Sequence, residues 1–399
     1  MLVKSLLIGY LYGIESERRI EQEIQANMAY WWFLGIDLDG SAPDHSTISQ
    51  NRRQRLNGEN LYRRLFERVL AICMENDLVD GKLVLTDSTH VKANASKKSE
   101  YKVQVEKEAA WYMERLDKYE AMEREKLESR GIIKPKKEGQ KEEKKQELIS
   151  KTVSDSDPEA GRLNRPSKPE GMHYLDHQSI DAKNGIIVDV AVTPGNVTDA
   201  TPYLDRLDYM RERIGLKIES VGADSGYDVS LVHQELSEKE IRLFTPPNDE
   251  EPRYKVELKK SDFTYDQAED VFICPCGKKL SIRQLHRAEN NVYWEYRAET
   301  RDCKACSIQD KCLAVSQSYR RIQVNIFENA VKENHSRDGT SEHKEILKLR
   351  QILCEGTFAA QKARHNLRFL FRRGLAAAEE HCLLSATAVN LKKMVRCLG

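Results

Sequence analysis

Three carboxylates in this chain have the surroundings that a divalent-metal site requires. Asp87 ends the strand-like run Leu83–Thr86, Asp224 ends the run Ile218–Ala223, and Glu355 lies in a much later helical stretch. Mg²⁺ prefers hard oxygen ligands, and carboxylates from different elements can hold two such ions that clamp the attacking and leaving oxygens of a phosphoryl transfer. The pattern predicts an enzyme that acts on phosphodiesters.

The two aspartates are more informative together than singly. An aspartate at one strand end commonly caps the turn that follows, which for Asp87 runs through Ser88 and Thr89. Open α/β sheets carry their chemistry at the carboxyl ends of strands, so the pair favours a catalytic role. Gly226 leaves room for a close backbone approach beside Asp224. We interpret the neighbouring Asp228 as a helix cap.

Glu355 and Lys362 are separated by two helical turns and therefore lie on one helix face. Lys362 could contact a phosphate that the metal on Glu355 also touches, whereas the alternative is a solvated ion pair on an exposed helix. Gly356 costs about 1 kcal/mol in a helix relative to alanine, which favours a close approach at this point. The following basic residues alternate with apolar ones and predict a cationic stripe for a phosphate backbone: Lys362, Arg364, Arg368, Arg372 and Arg373.

The composition gives no global preference for nucleic acid. The chain has 399 residues with 64 basic and 64 acidic side chains, so its formal net charge is zero and any DNA affinity must come from local patches. No apolar run reaches the roughly 20 residues that cross a bilayer, and the N-terminal apolar stretch predicts an amphipathic helix rather than a signal peptide. Nine cysteines, an odd number, suit a reducing compartment. We expect a cytoplasmic protein without membrane association.

The pattern predicts helices over the N-terminal region 1–80, where they either pack together or form a DNA-end-binding module. Trp31, Trp32 and Phe33 are expected in the core. After a break at 40–43, the next helix is expected to begin after Asp44 or Ser46.

Strands and helices alternate over the first part of the predicted catalytic core, 81–250. A hairpin is expected over 173–192 with its turn at 183–185, and the strand, hairpin, helix, strand, helix, strand order predicts a mixed sheet flanked by helices. A charged insertion at about 98–168 interrupts this core. It is expected to contain one long surface helix over 101–130 and a disordered linker over 134–145.

A cysteine-bearing insertion is expected over 251–335, followed by a second, helical part of the core over 336–399 with a C-terminal helix. A helix or helix pair is predicted over 343–373, with Gly374 at a helix C-terminus.

The cysteines of this insertion have a metal-ligand spacing. Cys274 and Cys276 form one close pair, and Cys303 and Cys306 form another. Two such pairs can supply a tetrahedral thiolate site for Zn²⁺, with Cys312 as an alternative ligand. A set of reduced cysteines without metal is the competing interpretation.

Several motifs together resemble the DDE transposases of bacterial insertion sequences, most closely the insertion-sequence 1182 group. They include Thr86–Val91, Tyr174–His177 with Thr193–Asp199, Ala223–Tyr227, and Glu355 with Lys362 ahead of 372–374. The resemblance covers nearly the whole chain, including Gly9–Gly13 and Pro43–Thr47. No single motif is specific, but the combination is.

This resemblance implies an RNase H-like catalytic core that binds Mg²⁺ or Mn²⁺ through Asp87, Asp224 and Glu355. It implies cleavage at the terminal inverted repeats of an insertion sequence and transfer of the freed 3′ ends to target DNA by a homodimer. Lys362 would contact phosphate, and the basic residues after it would lie near the transposon end. The competing interpretations are a metal-dependent nuclease without strand transfer and an inactive DNA-binding remnant.

The chain departs from its relatives at two places. Similar proteins carry a further segment before the helix that begins here almost at Met1, which predicts an N-terminally truncated copy. Related transposases also have an arginine and a tyrosine at the positions of Gln351 and Lys348, and the nearest arginine in this chain is the adjacent Arg350.

Overall fold

The computed structural model describes residues 1–54, 60–106, 112–135, 148–164, 170–246, 256–288 and 291–399. Most of the predicted linker at 134–145 lies outside these ranges. None of the helices within them is both long enough and apolar enough to span a membrane.

Helices make up the N-terminal region and the C-terminal end, and they also flank the sheets. Their bounds are α1 (Leu2–Tyr12), α2 (Glu17–Ala26), α3 (Met28–Leu34), α4 (His45–Gln54), α5 (Leu61–Glu75), α6 (Tyr112–Ser129), α7 (Tyr203–Tyr209), α8 (Ser230–Glu238), α9 (Thr300–Lys304), α10 (Gln309–Cys312), α11 (Glu328–His335), α12 (Ser341–Arg350), α13 (Gly356–Arg364) and α14 (Leu375–Leu398). Two π-helical segments extend α7 and α12, over Met210–Ile214 and Gln351–Glu355.

The strands form one mixed sheet, one antiparallel sheet and one separate pair. Their bounds are β1 (Leu83–Lys92), β2 (Glu100–Glu106), β3 (Leu148–Ser154), β4 (Gly161–Leu163), β5 (Gly171–Asp181), β6 (Ile187–Pro194), β7 (Ser220–Gly222), β8 (Arg242–Phe244), β9 (Thr264–Asp266), β10 (Val271–Ile273), β11 (Lys279–Ala288), β12 (Asn291–Ala298) and β13 (Arg321–Asn325).

The mixed sheet carries the strands that position the predicted aspartates. Its strands lie in the order β6–β5–β1–β7–β8, with β5 antiparallel to β1 and β6, and with β7 parallel to both β1 and β8. The short β4 pairs with the first residues of β5. The predicted mixed α/β class is thus confirmed.

The predicted hairpin is confirmed as β5 and β6. Gly185 in its turn has φ 68°, a left-handed conformation that glycine adopts without steric cost. The buried side chain of Asn390 in α14 accepts a hydrogen bond from the Ile187 N–H and donates one to its carbonyl oxygen, both at 2.8 Å. This exchange fixes the C-terminal helix on the start of β6.

The N-terminal helices are confirmed, but one of their core predictions is wrong. As expected, α4 begins directly after Asp44, whose Oδ1 accepts the Ser46 N–H at 2.7 Å. In α3, only Leu34 is fully buried. Trp31 and Phe33 are half-buried and Trp32 is 85% exposed. Aromatic content alone therefore misassigned this helix.

The predicted 101–130 helix is only partly correct. Residues 100–106 form β2 and pair antiparallel with β3, and the described part of α6 covers Tyr112–Ser129. Nor is α6 simply solvated, because it buries Leu116 and Leu127. Arg115 bridges it to Glu235 at 3.1 Å, and Arg287 of the antiparallel sheet donates to Asp117 at 2.6 Å. The helix therefore joins α8 to the antiparallel sheet.

The antiparallel sheet has the order β13–β12–β11–β10–β9 and its own hydrophobic cluster. The buried members of that cluster include Phe272, Leu280, Tyr296 and Ile322. This part of the chain carries the five closely spaced cysteines. It therefore has a second core beside the one around the mixed sheet.

The helical prediction over 343–373 holds only as far as Arg364, where α13 ends. Beyond it the chain runs alongside β1, where the Leu370 N–H donates to the Lys92 carbonyl oxygen at 2.8 Å. Gly374 is not at a helix C-terminus as predicted: it precedes α14 with φ 94°. Its N–H donates to Asp157 Oδ1 at 3.2 Å.

Candidate active site

Asp87 and Asp224 occupy equivalent positions on neighbouring parallel strands. Leu85 of β1 is in register with Gly222 of β7, and each aspartate lies two residues further along its chain. The short β7 ends at Gly222, so Asp224 stands just past a carboxyl end, while Asp87 is still within β1. Strand pairing alone thus brings the two predicted aspartates to one edge of the sheet.

Arg350, a residue at the end of α12, holds the carboxylate of Asp87. The Arg350 Nη1 donates to Asp87 Oδ2 at 2.6 Å, and the Ser88 N–H donates to Oδ1 at 2.8 Å. Burial raises the pKa of Asp87 to about 6, with Arg350 acting to lower it and the Asp224 and Asp199 charges acting to raise it. The Asp87 side chain is 14% exposed, so water screens these interactions only partly.

Asp199 is a third carboxylate at this edge, and the sequence prediction did not give it a role. It lies between β6 and α7, and its Oδ1 accepts the Ser88 hydroxyl at 2.6 Å. The phenol of Tyr227 is buried beside the group, and burial and then the charges of Asp199, Asp224 and Asp87 raise its pKa. The charges of all three carboxylates therefore act on the buried phenol of Tyr227. The hint in the sequence was that Asp199 is the last residue of the Thr193–Asp199 motif.

Gly226 provides space between two of these carboxylates. A Cβ atom at this position would lie 3.0 Å from Asp224 Oδ1 and 3.4 Å from Asp199 Oδ2. The Gly226 N–H donates to Asp224 Oδ1 at 2.8 Å. The groups that approach the Gly226 backbone closely, as predicted, are the carboxylate oxygens of Asp224 and Asp199.

Glu355 is exposed and ends the π-helical segment that follows α12. The preceding residue, Cys354, is buried near Asp87, and burial and then the Asp87 charge raise the pKa of its thiol. In a π-turn, residues five apart in sequence are hydrogen-bonded, whereas in an α-turn they are four apart. In this segment Arg350, five residues before Glu355, therefore takes the place that Gln351, four residues before, would have in a regular helix. The Arg350 side chain contacts Asp87 from this place.

The three predicted metal ligands do not form a closed cluster. In the ranges that the structure describes, the groups of three or more ligand atoms that all lie within 4.8 Å of one another are Asp228–His233–His335 and Glu21–Asp44–His45. Neither group contains Asp87, Asp224 or Glu355. The two aspartates lie at one edge of the sheet, and Glu355 lies in a segment that packs on β1. The carboxylate oxygens of the three described residues do not all lie within 4.8 Å of one another.

Asp228 does not act as the simple helix cap that we predicted. Its Oδ1 is hydrogen-bonded to His233 Nε2 at 2.6 Å and to His335 Nε2 at 3.0 Å. Burial alone would raise the pKa of Asp228, but the bonds from the two histidines outweigh it and lower the pKa below its ordinary value. The carboxylate joins α8 to α11.

Lys362 lies beside the same strand as Asp87. Its Nζ donates to Thr89 Oγ1 at 2.6 Å, two residues beyond the aspartate. The lysine also lies near the buried Asp176 of β5, and its charge acts to lower the pKa of that carboxyl, although burial raises it overall to about 7.

The predicted cationic stripe divides into two sets. Arg364, Arg368 and Arg373 are exposed. Arg372 instead turns inward and pairs with the buried Glu380 at 2.5 Å, a carboxylate that it shares with the buried Arg52. The alternation of basic and apolar residues in the sequence could not distinguish an arginine exposed to solvent from one that faces the protein interior.

The five predicted thiols cluster at one end of the antiparallel sheet, in the connections between its strands. Cys274, Cys276, Cys303, Cys306 and Cys312 line one cavity. All five are free cysteines.

Two regions of the chain match known family models. Residues 273–395 match a model described as a transposase DDE domain, and residues 1–54 match one described as a transposase domain (DUF772). The first match contains Glu355, Lys362 and the five clustered cysteines, whereas Asp87 and Asp224 lie outside both matches. No curated protein matches the chain.

A solved structure found to be similar is the Mos1 transposase paired-end complex with left transposon end. The identity is 12%, and the alignment covers 61% of this chain and 57% of that one, so the chain spans little more than half of its length. The TM-score of 0.18 is too low for this likeness to support any conclusion about fold or function. Two regions of the chain are thus similar to transposase domains, one to a DDE domain and the other to the DUF772 domain.

Proposed function

We propose that this protein is an insertion-sequence transposase that cleaves DNA at the element's ends and joins the freed 3′ ends to target DNA. The observation that carries the proposal is the placement of Asp87 and Asp224 at equivalent positions on neighbouring parallel strands. The transposase DDE domain match over residues 273–395, which contains Glu355, supports the same conclusion.

The strand order supports an RNase H-like core. Three antiparallel strands, β6, β5 and β1, are followed by the parallel β7 and β8, and helices pack against the sheet. We propose the domain division given by the sequence, with a helical region at 1–80, core parts at 81–250 and 336–399, and insertions at about 98–168 and 251–335. We also propose that the chain belongs to the insertion-sequence 1182 group.

The chemistry of the donor set fits a divalent cation of the Mg²⁺ or Mn²⁺ kind. The Asp224 and Asp199 charges raise the pKa of Asp87, so like charges crowd at this edge and a cation would relieve their repulsion. Asp87, Asp224 and Glu355 would hold the metal. When bound, it would activate a water or a 3′-hydroxyl and neutralise charge on the phosphate.

The residues around the carboxylates orient them, and one neighbour favours the ionised form of Asp87. Arg350 lowers the pKa of Asp87 and so favours the ionised form that a metal needs. The Ser88 and Gly226 N–H groups each fix one carboxylate oxygen, on Asp87 and Asp224 respectively. These contacts hold the two aspartates before any substrate arrives.

A DNA backbone would approach along the segment after Glu355. Lys362 lies beside β1 close to Asp87 and would contact a phosphate near the cleavage point. The exposed Arg364, Arg368 and Arg373 would contact phosphates further along the transposon end. For Arg372, the pairing with Glu380 supports a structural role. Because two ends must be brought together, we propose that the active form is a homodimer on DNA.

The proposal is tested with a labelled duplex that carries the inverted repeats flanking the gene, incubated with Mg²⁺ or Mn²⁺ and a target plasmid. We expect cleavage at the repeat boundary and joined product with the unmodified chain, and neither with Asp87→Asn or Asp224→Asn. Asp205→Asn is the matched control, because that exposed aspartate pairs with Arg115 and lies outside the site.

Other outcomes would replace the proposal. Cleavage without joining would indicate a nuclease. Binding of the repeats that survives Asp224→Asn, with no cleavage by either protein, would indicate a DNA-binding remnant.

A further inference from the structure

The five clustered cysteines come from two connections between strands, which lie at the same end of the antiparallel sheet. Cys274 and Cys276 lie in the turn between β10 and β11. Cys303 is in α9, Cys306 follows that helix, and Cys312 ends α10. All five side chains line one cavity, although they are spread over 39 residues of sequence from 274 to 312.

Four of the thiols have contacts suited to metal-bound thiolates, although no three of the described sulfur atoms all lie within 4.8 Å of one another, so binding would draw them closer together. The Sγ atoms of Cys276 and Cys306, one from each connection, lie 3.5 Å apart. The Lys278 N–H points at Cys274 Sγ at 3.3 Å, and the Arg320 N–H points at Cys303 Sγ at 3.4 Å. Backbone amides that donate to sulfur stabilise the thiolate form and orient the ligand, as hydrogen bonds around a metal site commonly do.

Cys312 differs from the other four. It is 8% exposed and belongs to the buried hydrophobic cluster of the antiparallel sheet, together with Phe272 and Leu280. The other four thiols are half-buried or exposed, which leaves them accessible to a metal ion from solvent.

We propose that Cys274, Cys276, Cys303 and Cys306 bind one structural Zn²⁺ ion, and that Cys312 packs behind the site without binding it. Four thiolates complete the tetrahedral shell that structural zinc adopts and leave no open position for catalysis. Binding links the β10–β11 turn to the α9–α10 segment and releases thiol protons to solvent. The site lies apart from the proposed catalytic carboxylates, and this inference does not depend on the proposed function.

The first test measures metal in the full-length chain, purified under reducing conditions and supplied with zinc during expression. We expect about one zinc per chain by elemental mass spectrometry. After exchange with Co²⁺, we expect the intense thiolate-to-cobalt absorption of a four-sulfur tetrahedral site. Absence of zinc, or a cobalt spectrum without sulfur ligation, would overturn the proposal. This measurement needs no variant and is therefore independent of any folding defect.

The second test assigns the ligands. Cys274→Ser, Cys276→Ser, Cys303→Ser and Cys306→Ser should each lose most of the bound zinc, while Cys312→Ala should keep it. The exposed Cys397→Ser is the matched control for loss of a thiol. Loss of zinc in Cys312→Ala, with retention in any one of the four serine variants, would overturn the assignment. So would a Cys276–Cys306 disulfide in the freshly reduced protein.

A third measurement separates this site from the carboxylates. Asp87→Asn and Glu355→Gln should keep their zinc in full, because neither residue lines the cysteine cavity. Loss of zinc in both, with an unchanged circular dichroism spectrum, would contradict the proposed ligand set.

Discussion

The proposed catalytic carboxylates and the clustered cysteines are assembled in opposite ways. Asp87, Asp224 and Glu355 are far apart in the chain, and the two aspartates meet only because β1 and β7 pair in parallel. The cysteines lie between 274 and 312 and line one cavity from two connections between neighbouring strands. One site depends on the topology of the whole core, and the other on a short stretch of chain.

This difference has consequences for stability as well as for chemistry. Parts of a protein can open separately when they have separate cores, and the antiparallel sheet has its own buried cluster. Damage to the cysteines should therefore loosen that sheet without separating Asp87 from Asp224. Changes at the carboxylates should alter catalysis and pH response without affecting the metal content of the cysteine cluster.

The largest expected effect is that of Asp224→Asn on DNA cleavage. Loss of one carboxylate should lower the cleavage rate by on the order of 10²–10³-fold, the scale on which removal of one preorganised electrostatic contact acts. Single-turnover cleavage of the repeat substrate measures it. A variant that cuts at the rate of the unmodified chain would remove Asp224 from the mechanism.

Lys362→Met should have the next largest effect. A hydrogen bond to a charged group contributes about 1.5–3 kcal/mol, so the cleavage rate at low DNA concentration should fall roughly 10- to 100-fold. Lys217→Met is the control, because that exposed lysine lies just before β7, at the opposite end of the strand from Asp224. Equal effects of both substitutions would mean that only the overall charge matters.

Arg350→Gln should move the pH dependence of cleavage. Arg350 lowers the pKa of Asp87, so its removal should raise that pKa above about 6 and move the acid limb of the rate profile to higher pH. On that limb, a pKa that is higher by about one pH unit leaves about a tenth as much of the ionised carboxylate. Arg350→Lys, which keeps the charge, should move the profile less. Coincident profiles for all three proteins would show that Arg350 does not tune Asp87.

Asp176→Asn should have the smallest effect, and it concerns stability alone. Burial raises the pKa of Asp176 to about 7, above the ordinary value, so the folded state binds the proton more tightly than the unfolded state. The stabilising contribution of this group is therefore present below the ordinary aspartate pKa and is lost as pH rises through about 7. The asparagine of the variant does not titrate, so the stability of Asp176→Asn does not fall for this reason as pH rises.

Chemical denaturation at about pH 5 and about pH 8 measures the difference. The free energy of unfolding of Asp176→Asn relative to the unmodified chain should increase between them by roughly 1–3 kcal/mol. A difference that does not change with pH would show that Asp176 is already ionised when folded.

The sequence predicted features set by local rules. The β5–β6 hairpin followed from an Asn184–Gly185 turn between β-branched runs, and the placement of Asp87 and Asp224 at one sheet edge followed from two apolar strands that each lead into an aspartate. The start of α4 after Asp44 followed from the capping chemistry of its side chain.

Features set by tertiary contacts could not be predicted. Val105 lies two helical turns before Tyr112 and so fits the spacing of the predicted helix, but pairing with β3 places it in a strand. The exposure of Trp32 and the inward turn of Arg372 depend on what packs nearby. The contact of Arg350 with Asp87 requires a π-helical segment, which changes the phase of the helix in a way that a regular periodicity does not anticipate.

Binding of Mn²⁺, followed by electron paramagnetic resonance, tests most directly the central claim that Asp87, Asp224 and Glu355 form one cation site. We predict that the full-length chain binds Mn²⁺ and that Asp87→Asn, Asp224→Asn and Glu355→Gln each weaken binding, while Cys303→Ser does not. Wild-type affinity in Glu355→Gln, or equal affinity in all four variants, would contradict the account.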